Sequence, residues 1–320
     1  MDERYGVMLM NFGGPADLAQ VEPFIQAMLS DPLVVALPLG SLWQGRFAHL
    51  VARRRAPVVR ERYRLIGGFS PVVRETQTQA RALEARLDLP VEAAMRYTQP
   101  SVEAAFAALA GRGVTRTVLL PLYPQYGFSS SRSSIEWAQQ HTPEGMALSV
   151  IPQHHDHDGY IAALANGVER TLAGVPAGLR THLLCAAHSI PVSYTRRGDP
   201  YVPQMERTAR LLGERLAGRV ASWSLAYQSA VGPARWHGPS LEEELSRLRT
   251  EGVEALVVTP LSFTAENLET LYDLDIVFAG QCTKRGLAVF RRVPTLSADP
   301  AYMDALKSLV TPHLGASTHA

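Results

Sequence analysis

The stretch from Val257 to Asp275 is the one around which the candidate chemistry is organised. It reads as a buried strand ending at Pro260, a short loop, and a helix capped by Thr264 that carries Glu266, Glu269 and Asp273 on one face at helical spacing. Like charges four residues apart on a helix cost roughly 0.2–0.5 kcal/mol. Glu269 and Asp273 are therefore a burden unless a cation or a proton lies with them. A path for metal or protons is one reading. The other is a solvated acidic face, with Glu266 favoured by the helix dipole.

His188 ends the apolar run Leu183–Ala187 and is followed by Ser189-Ile190-Pro191. An imidazole at the carboxyl end of a strand can take a proton or bind a metal near neutral pH. Taken alone, a single histidine is more often a hydrogen-bonded structural residue. Tyr123-Pro124-Gln125-Tyr126 follows one strand-like run, and Tyr227-Gln228-Ser229 with Trp236 follows another. Aromatic groups at the ends of neighbouring strands make flat walls for a large planar ligand, or simply core. Gly198-Asp199-Pro200-Tyr201 is turn chemistry that shapes a rim. The cluster His154-His155-Asp156-His157-Asp158 has ligand-type residues, but it sits in a strand-to-helix loop where Asp158 can cap the next helix. The structural reading is preferred there, with adventitious surface metal binding as the alternative.

The elements that must position these residues alternate. Runs at about 5–10, 91–95, 115–120, 147–151, 181–187, 221–226, 254–259 and 287–290 read as strands. Helical patterns lie between them, among them Pro71 to Leu87, Ser101 to Ala110, Tyr160 to Leu172, Met205 to Leu216 and Leu241 to Leu248. This is the pattern of an α/β chain with parallel sheets covered on both faces. Gly113 to Leu122 echoes Gly252 to Leu261, as two similar halves would. The expected division is 1–146, 147–298 and a C-terminal helix in 299–320 that packs back on the first half. Ligands of such sheets bind beyond the carboxyl ends of the strands, so the cleft between the halves is the expected site. The loop Asn11-Phe12-Gly13-Gly14-Pro15 lacks the third spaced glycine of a dinucleotide fingerprint. From Leu33 to Leu50 the chain is apolar, and Arg53-Arg54-Arg55 follows. That order fits a lip that covers an apolar ligand or rests on an anionic membrane surface; it also fits an ordinary amphipathic helix packed on the first sheet.

Composition narrows the classes. Of 320 residues, 46% are hydrophobic and 19% charged, enough to bury a core, and the net charge is +1 with no long basic stripe. A nucleic-acid binder is not expected. Cys185 and Cys282 are too few for a disulfide framework or an all-cysteine metal site and fit a reducing compartment. With no leader-like start and no run near the ~18 apolar residues of a spanning helix, a cytoplasmic protein is expected.

Taken in order, several segments resemble ferrochelatase, the family that inserts ferrous iron into a porphyrin to make haem. They are Asn11 to Pro15, Arg54 to Pro57, Ile66-Gly67-Gly68 with Ser70-Pro71, Met95-Arg96-Tyr97, Leu122 to Tyr126, His188 to Pro191, Gly198 to Tyr201, Tyr227-Gln228-Ser229 with Val231-Gly232-Pro233, and Glu269 to Tyr272. Each is weak alone; the ordered set is specific and covers nearly the whole chain. The resemblance implies two Rossmann-like domains, each a parallel sheet flanked by helices (the chelatase fold), with the porphyrin between the histidine and a glutamate opposite it. It assigns His188 and Glu269 as catalytic and metal-binding. Asp273 becomes a further acid on the metal or proton path, and Phe12, Arg64, Ser70, Arg96, Tyr123 and Trp236 line the porphyrin pocket.

Three departures accompany it. Phe12 stands where methionine or tyrosine is frequent, Asn267 where histidine is common, and Val277 replaces a further acid, so the relay looks shorter. Cluster-binding cysteines of some relatives have no counterpart, so no iron-sulfur centre and no tightly bound cofactor are expected. Ferrous iron and the porphyrin are substrates. The chemistry agrees with the residue types: two pyrrole protons must leave and a hydrated ion must exchange water for nitrogen, which calls for bases beside an apolar wall. Protoporphyrin IX suits the apolar lip. Coproporphyrin III, with four propionates, is the alternative, for which Arg53, Arg54, Arg55, Arg64 and Arg96 are available cations. A non-enzymatic haem or porphyrin carrier would need the walls but not the bases. A sugar-nucleotide transferase would want a phosphate loop that is not found. Contact with a membrane surface and transient contact with neighbouring enzymes of the haem pathway complete the expected partners.

Overall fold

Strands of covered parallel sheets read as apolar runs, and each of the eight runs forms a strand. The computed structural model describes residues 3–35 and 41–315, the side chains of 41 and 42 excepted; Leu37 and Leu39 of the expected lip, and the side chain of Leu42, lie outside the described residues. The chain divides into two compact units, 1–154 with 297–320, and 155–296.

In the first unit β1 (Tyr5–Asn11), β2 (Val91–Met95), β3 (Arg116–Pro121) and β4 (Ala147–Val150) form a parallel sheet in the order β2-β1-β3-β4. Helices α1 (Val21–Leu29), α2 (Ser41–Leu65), α3 (Val72–Leu87), α4 (Val102–Gly111) and α5 (Ser133–Gln140) accompany it. On one face Met8, Met10 and Leu119 pack against Phe106 and Leu109 of α4. Each such side chain contributes about 1.5–3 kcal/mol by leaving water.

The second unit runs α6 (Asp158–Leu172), β5 (Thr181–His188), α7 (Val192–Arg196), α8 (Tyr201–Arg215), β6 (Ser222–Gln228), α9 (Leu241–Thr250), β7 (Ala255–Pro260), a π-helix (Glu269–Phe278), α10 (Ala279–Lys284) and β8 (Val289–Arg292). Its strands are parallel in the order β6-β5-β7-β8. The chain then returns to the first unit as α11 (Pro300–Val310), where Arg86 of α3 pairs with Asp304 at 2.9 Å.

Both sheets thus follow one order, and the repeated segments are the third strand of each. Gly113 and Gly252 turn the chain into β3 and β7 at φ 78° and 75°, left-handed values that a side chain rarely tolerates. The boundary differs from the expected one. Residue 147 opens β4, which pairs with β3 in the first sheet, and the division between units falls after His154.

Helix α2 departs from one of the two readings of this segment, an ordinary amphipathic helix packed by its large apolar residues. Its buried residues include Ala48, Ala52 and Ala56, which let it lie close to α1. Trp43, Phe47 and Leu50 stay 52%, 37% and 68% exposed. Among the described residues no helix is long and apolar enough to cross a membrane.

Candidate active site

His188 is the last residue of β5, where the strand's hydrogen-bond ladder ends and side chains must hold the backbone. Its N–H donates to Ser262 Oγ at 2.8 Å, and its carbonyl accepts from the Tyr201 hydroxyl at 3.0 Å. Tyr201 and Ser262 are themselves 2.7 Å apart, so the loop after β7 and the first residue of α8 clamp this one peptide. The imidazole Nδ1 lies 4.0 Å from Glu269 Oε1, with the two side chains 38% and 31% exposed. Desolvation by the surrounding protein pulls the His188 pKa down to about 4 and raises that of Glu269 above the usual carboxylate range. At neutral pH the imidazole is uncharged and its lone pair is free for a proton or a metal. A separation of 4.0 Å is too long for a hydrogen bond. One divalent ion with bonds of about 2.0–2.2 Å to nitrogen and oxygen spans it.

This geometry corrects the expected placement of the pair on opposite sides of a flat ligand. A ring sandwiched between two groups needs about 7 Å, two van der Waals contacts. His188 and Glu269 belong to the same unit and lie 4.0 Å apart.

The segment that carries Glu269 also departs from expectation. The helix starts later than Thr264, where Asn267 Oδ1 accepts the Thr270 N–H at 3.1 Å and Thr270 Oγ1 accepts the Asn267 N–H at 3.0 Å. That reciprocal exchange satisfies two backbone donors that a helix start leaves unpaired. Asn267 therefore caps where a histidine was noted as common. From Glu269 the winding is π for ten residues, a form otherwise met mostly as single-turn bulges at functional sites. Glu266 precedes the helix and does not share a face with Glu269 and Asp273. It accepts from Arg292 at 2.9 Å, from the Thr295 N–H at 3.0 Å and from Thr270 Oγ1 at 2.5 Å. Arg292 also pairs with Asp275 at 2.7 and 2.8 Å. Asp273, half-buried, lies one turn beyond Glu269. Among the described residues no three His, Cys, Asp or Glu side chains gather as a metal cage.

Trp236 belongs to the same unit. Its indole N–H donates to the Val231 carbonyl at 2.9 Å, and its backbone bridges to Pro191 just past His188.

In the first unit the candidates again lie at strand ends. The Phe12 ring meets Tyr97 edge-on at 4.7 Å and Phe24 at 6.4 Å. Arg96 is already engaged: it pairs with buried Asp31 at 2.7 Å, donates to Ser133 Oγ at 2.9 Å, and stacks over Trp137 at 4.3 Å. Asp31 Oδ2 also accepts from Tyr97 at 2.8 Å, and its Oδ1 takes the Leu33 N–H at 2.8 Å. Burial, followed by the Asp31 charge, raises the Tyr97 phenol. Ser70 is buried and donates its N–H to the Pro15 carbonyl; a Cβ added at Gly14 would lie 2.5 Å from its side chain, so glycine is what lets the Asn11–Pro15 loop close on it. Half-buried Tyr123 accepts from Ser134 Oγ at 3.5 Å. Arg64 is exposed and paired with Glu61. His154 is buried, with Nε2 3.2 Å from the Tyr302 hydroxyl. Asp158 opens α6 within its first turn and does not cap it.

Sequence reasoning missed Asp31, Arg292 and the Tyr201–Ser262 clamp. Tyr201 and Ser262 lay inside the quoted segments, but nothing in spacing tied them to His188; Asp31 and Arg292 carried no local signal.

With this geometry established, comparison with known proteins is specific. The family model described as ferrochelatase matches residues 4–314. The ferrochelatase of Synechococcus sp. (strain JA-2-3B'a(2-13)) is 40% identical, over 97% of this chain and 92% of that protein. That of Geotalea daltonii is 38% identical, over 97% and 98%. Among solved structures, SirB from Bacillus subtilis with Fe3+ superposes with a TM-score of 0.60 at 14% identity, over 96% of this chain and 94% of that one. CbiX, the terminal enzyme of sirohaem biosynthesis in denitrifying bacteria, gives 0.55 at 13%, over 98% and 100%. Those two likenesses establish the two-domain α/β chelatase fold. The match along nearly the whole sequence goes further: the chain belongs to the ferrochelatase family.

Proposed function

We propose that this chain inserts ferrous iron into protoporphyrin IX, with His188 and Glu269 serving metal and protons from one face of the ring. Family membership makes it a metal chelatase of haem synthesis, a lyase whose substrates are a porphyrin and ferrous iron. In the reaction two pyrrole N–H bonds break, four bonds from nitrogen to iron form, and two protons leave, so the ring dianion neutralises the ion. The observation that carries the residue assignment is a neutral imidazole 4.0 Å from a carboxyl group whose pKa is raised. The imidazole takes a proton or a metal bond without first losing a proton, and the carboxyl group stands ready beside it. Asp273, one turn along, extends the path. A carrier needs no such pair, which favours the enzymatic role.

The preference for protoporphyrin IX rests on available charge. Of the five arginines that the sequence offered, Arg64 and Arg96 are paired with Glu61 and Asp31, so fewer cations remain for four propionates than the sequence suggested. An unpaired carboxylate in a desolvated pocket is costly. Cys185 and Cys282 are buried, with thiols pushed up to about 12 by desolvation, which supports a chain without an iron-sulfur cluster. On α2, exposed Trp43, Phe47 and Leu50 lie near exposed Arg53, Arg54 and Arg55, a composition suited to an anionic lipid surface.

The test is anaerobic metallation with ferrous iron, with protoporphyrin IX and coproporphyrin III offered in parallel. A higher kcat/KM for protoporphyrin IX is expected. A large preference for coproporphyrin III reverses the choice of substrate and leaves the chelatase intact.

A further inference from the structure

Register along β5 and β6 pairs Leu184 with Ser224, Ala186 with Ala226 and His188 with Gln228. Paired residues of neighbouring parallel strands leave the sheet on the same face. That face is identified by Leu184, Ala186, Ala226 and Val258, which pack in one cluster with Leu274 and Phe278 of the π-helix. Gln228 therefore stands beside His188, on the face that the π-helix covers. Since β5 lies between β6 and β7, His188 has Gln228 on its β6 side, while Glu269 follows from β7. Ser229, at φ 66°, turns the chain immediately afterwards, so β6 ends level with the histidine.

Gln228 is only 7% exposed, and among the described residues neither its Oε1 nor its Nε2 has a hydrogen-bond partner. Leaving a buried polar group unpaired costs about 1–3 kcal/mol. An apolar side chain at this position would carry no such cost, so an amide here calls for a partner from outside the chain.

We propose that Gln228 is a metal-positioning residue, whose amide holds a water of the hydrated divalent ion next to His188 until that water is exchanged for a ring nitrogen. The proposal rests on the ferrochelatase reading of His188 and Glu269. The amide oxygen accepts hydrogen bonds, and water polarised by a divalent cation is a strong donor. Being uncharged, the amide grips the hydration shell without adding a third anionic ligand that would hinder release. The ion must move on into the ring, so a hold on its water is better suited than a bond to the metal itself.

The test compares wild type, Gln228→Met and Gln228→Glu for anaerobic insertion of ferrous iron, varying metal and porphyrin separately, with thermal unfolding measured alongside. Methionine keeps the length and removes the hydrogen bonds; glutamate restores acceptor oxygens. Loss of one charge-assisted hydrogen bond is expected to raise the KM for iron about 10-fold in Gln228→Met. The KM for porphyrin should stay within about twofold and the Tm should be unchanged or higher, since a buried amide without a partner has gone. Gln228→Glu should bring the iron KM back to within about threefold of wild type. An unchanged iron KM in Gln228→Met overturns the proposal, as does a rise that Gln228→Glu does not reverse, or a joint rise in both KM values with a lower Tm. Wild-type turnover in the same assay keeps the two readings apart: without it the ferrochelatase reading fails, whereas turnover with an idle Gln228 removes only this inference.

Discussion

A histidine and a glutamate 4.0 Å apart in one unit are set up by opposite effects of the same burial, which discourages charge on both. His188 is kept neutral and able to bind, and Glu269 is biased toward holding a proton. Because Glu269 adjoins the imidazole while Asp273 lies a turn farther on, Glu269→Gln should lower kcat about 100-fold or more and Asp273→Asn less than about 10-fold. Steady-state metallation of the two variants checks this, and equal losses would mean that inner and outer roles are wrongly assigned. His188 was legible in the sequence because an apolar run ended on it, and Glu269 because a second acid followed at four residues. That the two side chains lie within 4.0 Å of each other was not legible, since it depends on how the π-helix folds over the sheet. Glu266 was misread because helical spacing fits it equally well; a half-buried arginine from β8, Arg292, claims it instead. Asp31 was invisible for a similar reason, its partners Arg96 and Ser133 lying 65 and 102 residues away.

The strands were the most legible elements, because a parallel sheet covered on both faces demands continuous apolar runs. The π-helix was not, since ten residues cannot distinguish its period from that of an α-helix, and it begins at Glu269, later than a cap at Thr264 would place it. Helix α2 was read only in part. Its apolar content was evident, but the direction it faces was decided by Ala48, Ala52 and Ala56, which take the buried side and turn the larger residues outward. Arginines near an anionic bilayer contribute about 1 kcal/mol each. Replacing Arg53, Arg54 and Arg55 together with Gln should therefore weaken binding to vesicles containing phosphatidylglycerol by about 100-fold, as measured by cosedimentation at low salt. Equal binding by the variant and wild type, or none by either, would argue against membrane contact.

The two sheets share one strand order, and the echo between the segments at 113–122 and 252–261 was its trace in the sequence. The seam was placed too early because β4 is short and half-exposed and gives little sign of which sheet it joins. Far from the candidate site, His182 at the other end of β5 bears on the stability of the molecule. Its nitrogens lie 2.7 and 2.8 Å from Ser222 and Ser224, it is 1% exposed, and desolvation lowers its pKa to about 4. A folded-state pKa below the unfolded value of about 6.5 makes the contribution full above that pH and lost as pH falls toward 4, by roughly 3 kcal/mol at most. Urea unfolding at about pH 7.5 and 4.5 should show a larger loss for wild type than for His182→Gln; equal losses would place the acid sensitivity elsewhere. The central claim, that a neutral His188 beside Glu269 performs the insertion, is tested most directly by anaerobic single-turnover insertion of ferrous iron into porphyrin already bound to wild type and to His188→Ala. Porphyrin fluorescence should report binding by both proteins, with insertion at least about 100-fold slower in the variant. Near-normal insertion by His188→Ala would contradict the claim.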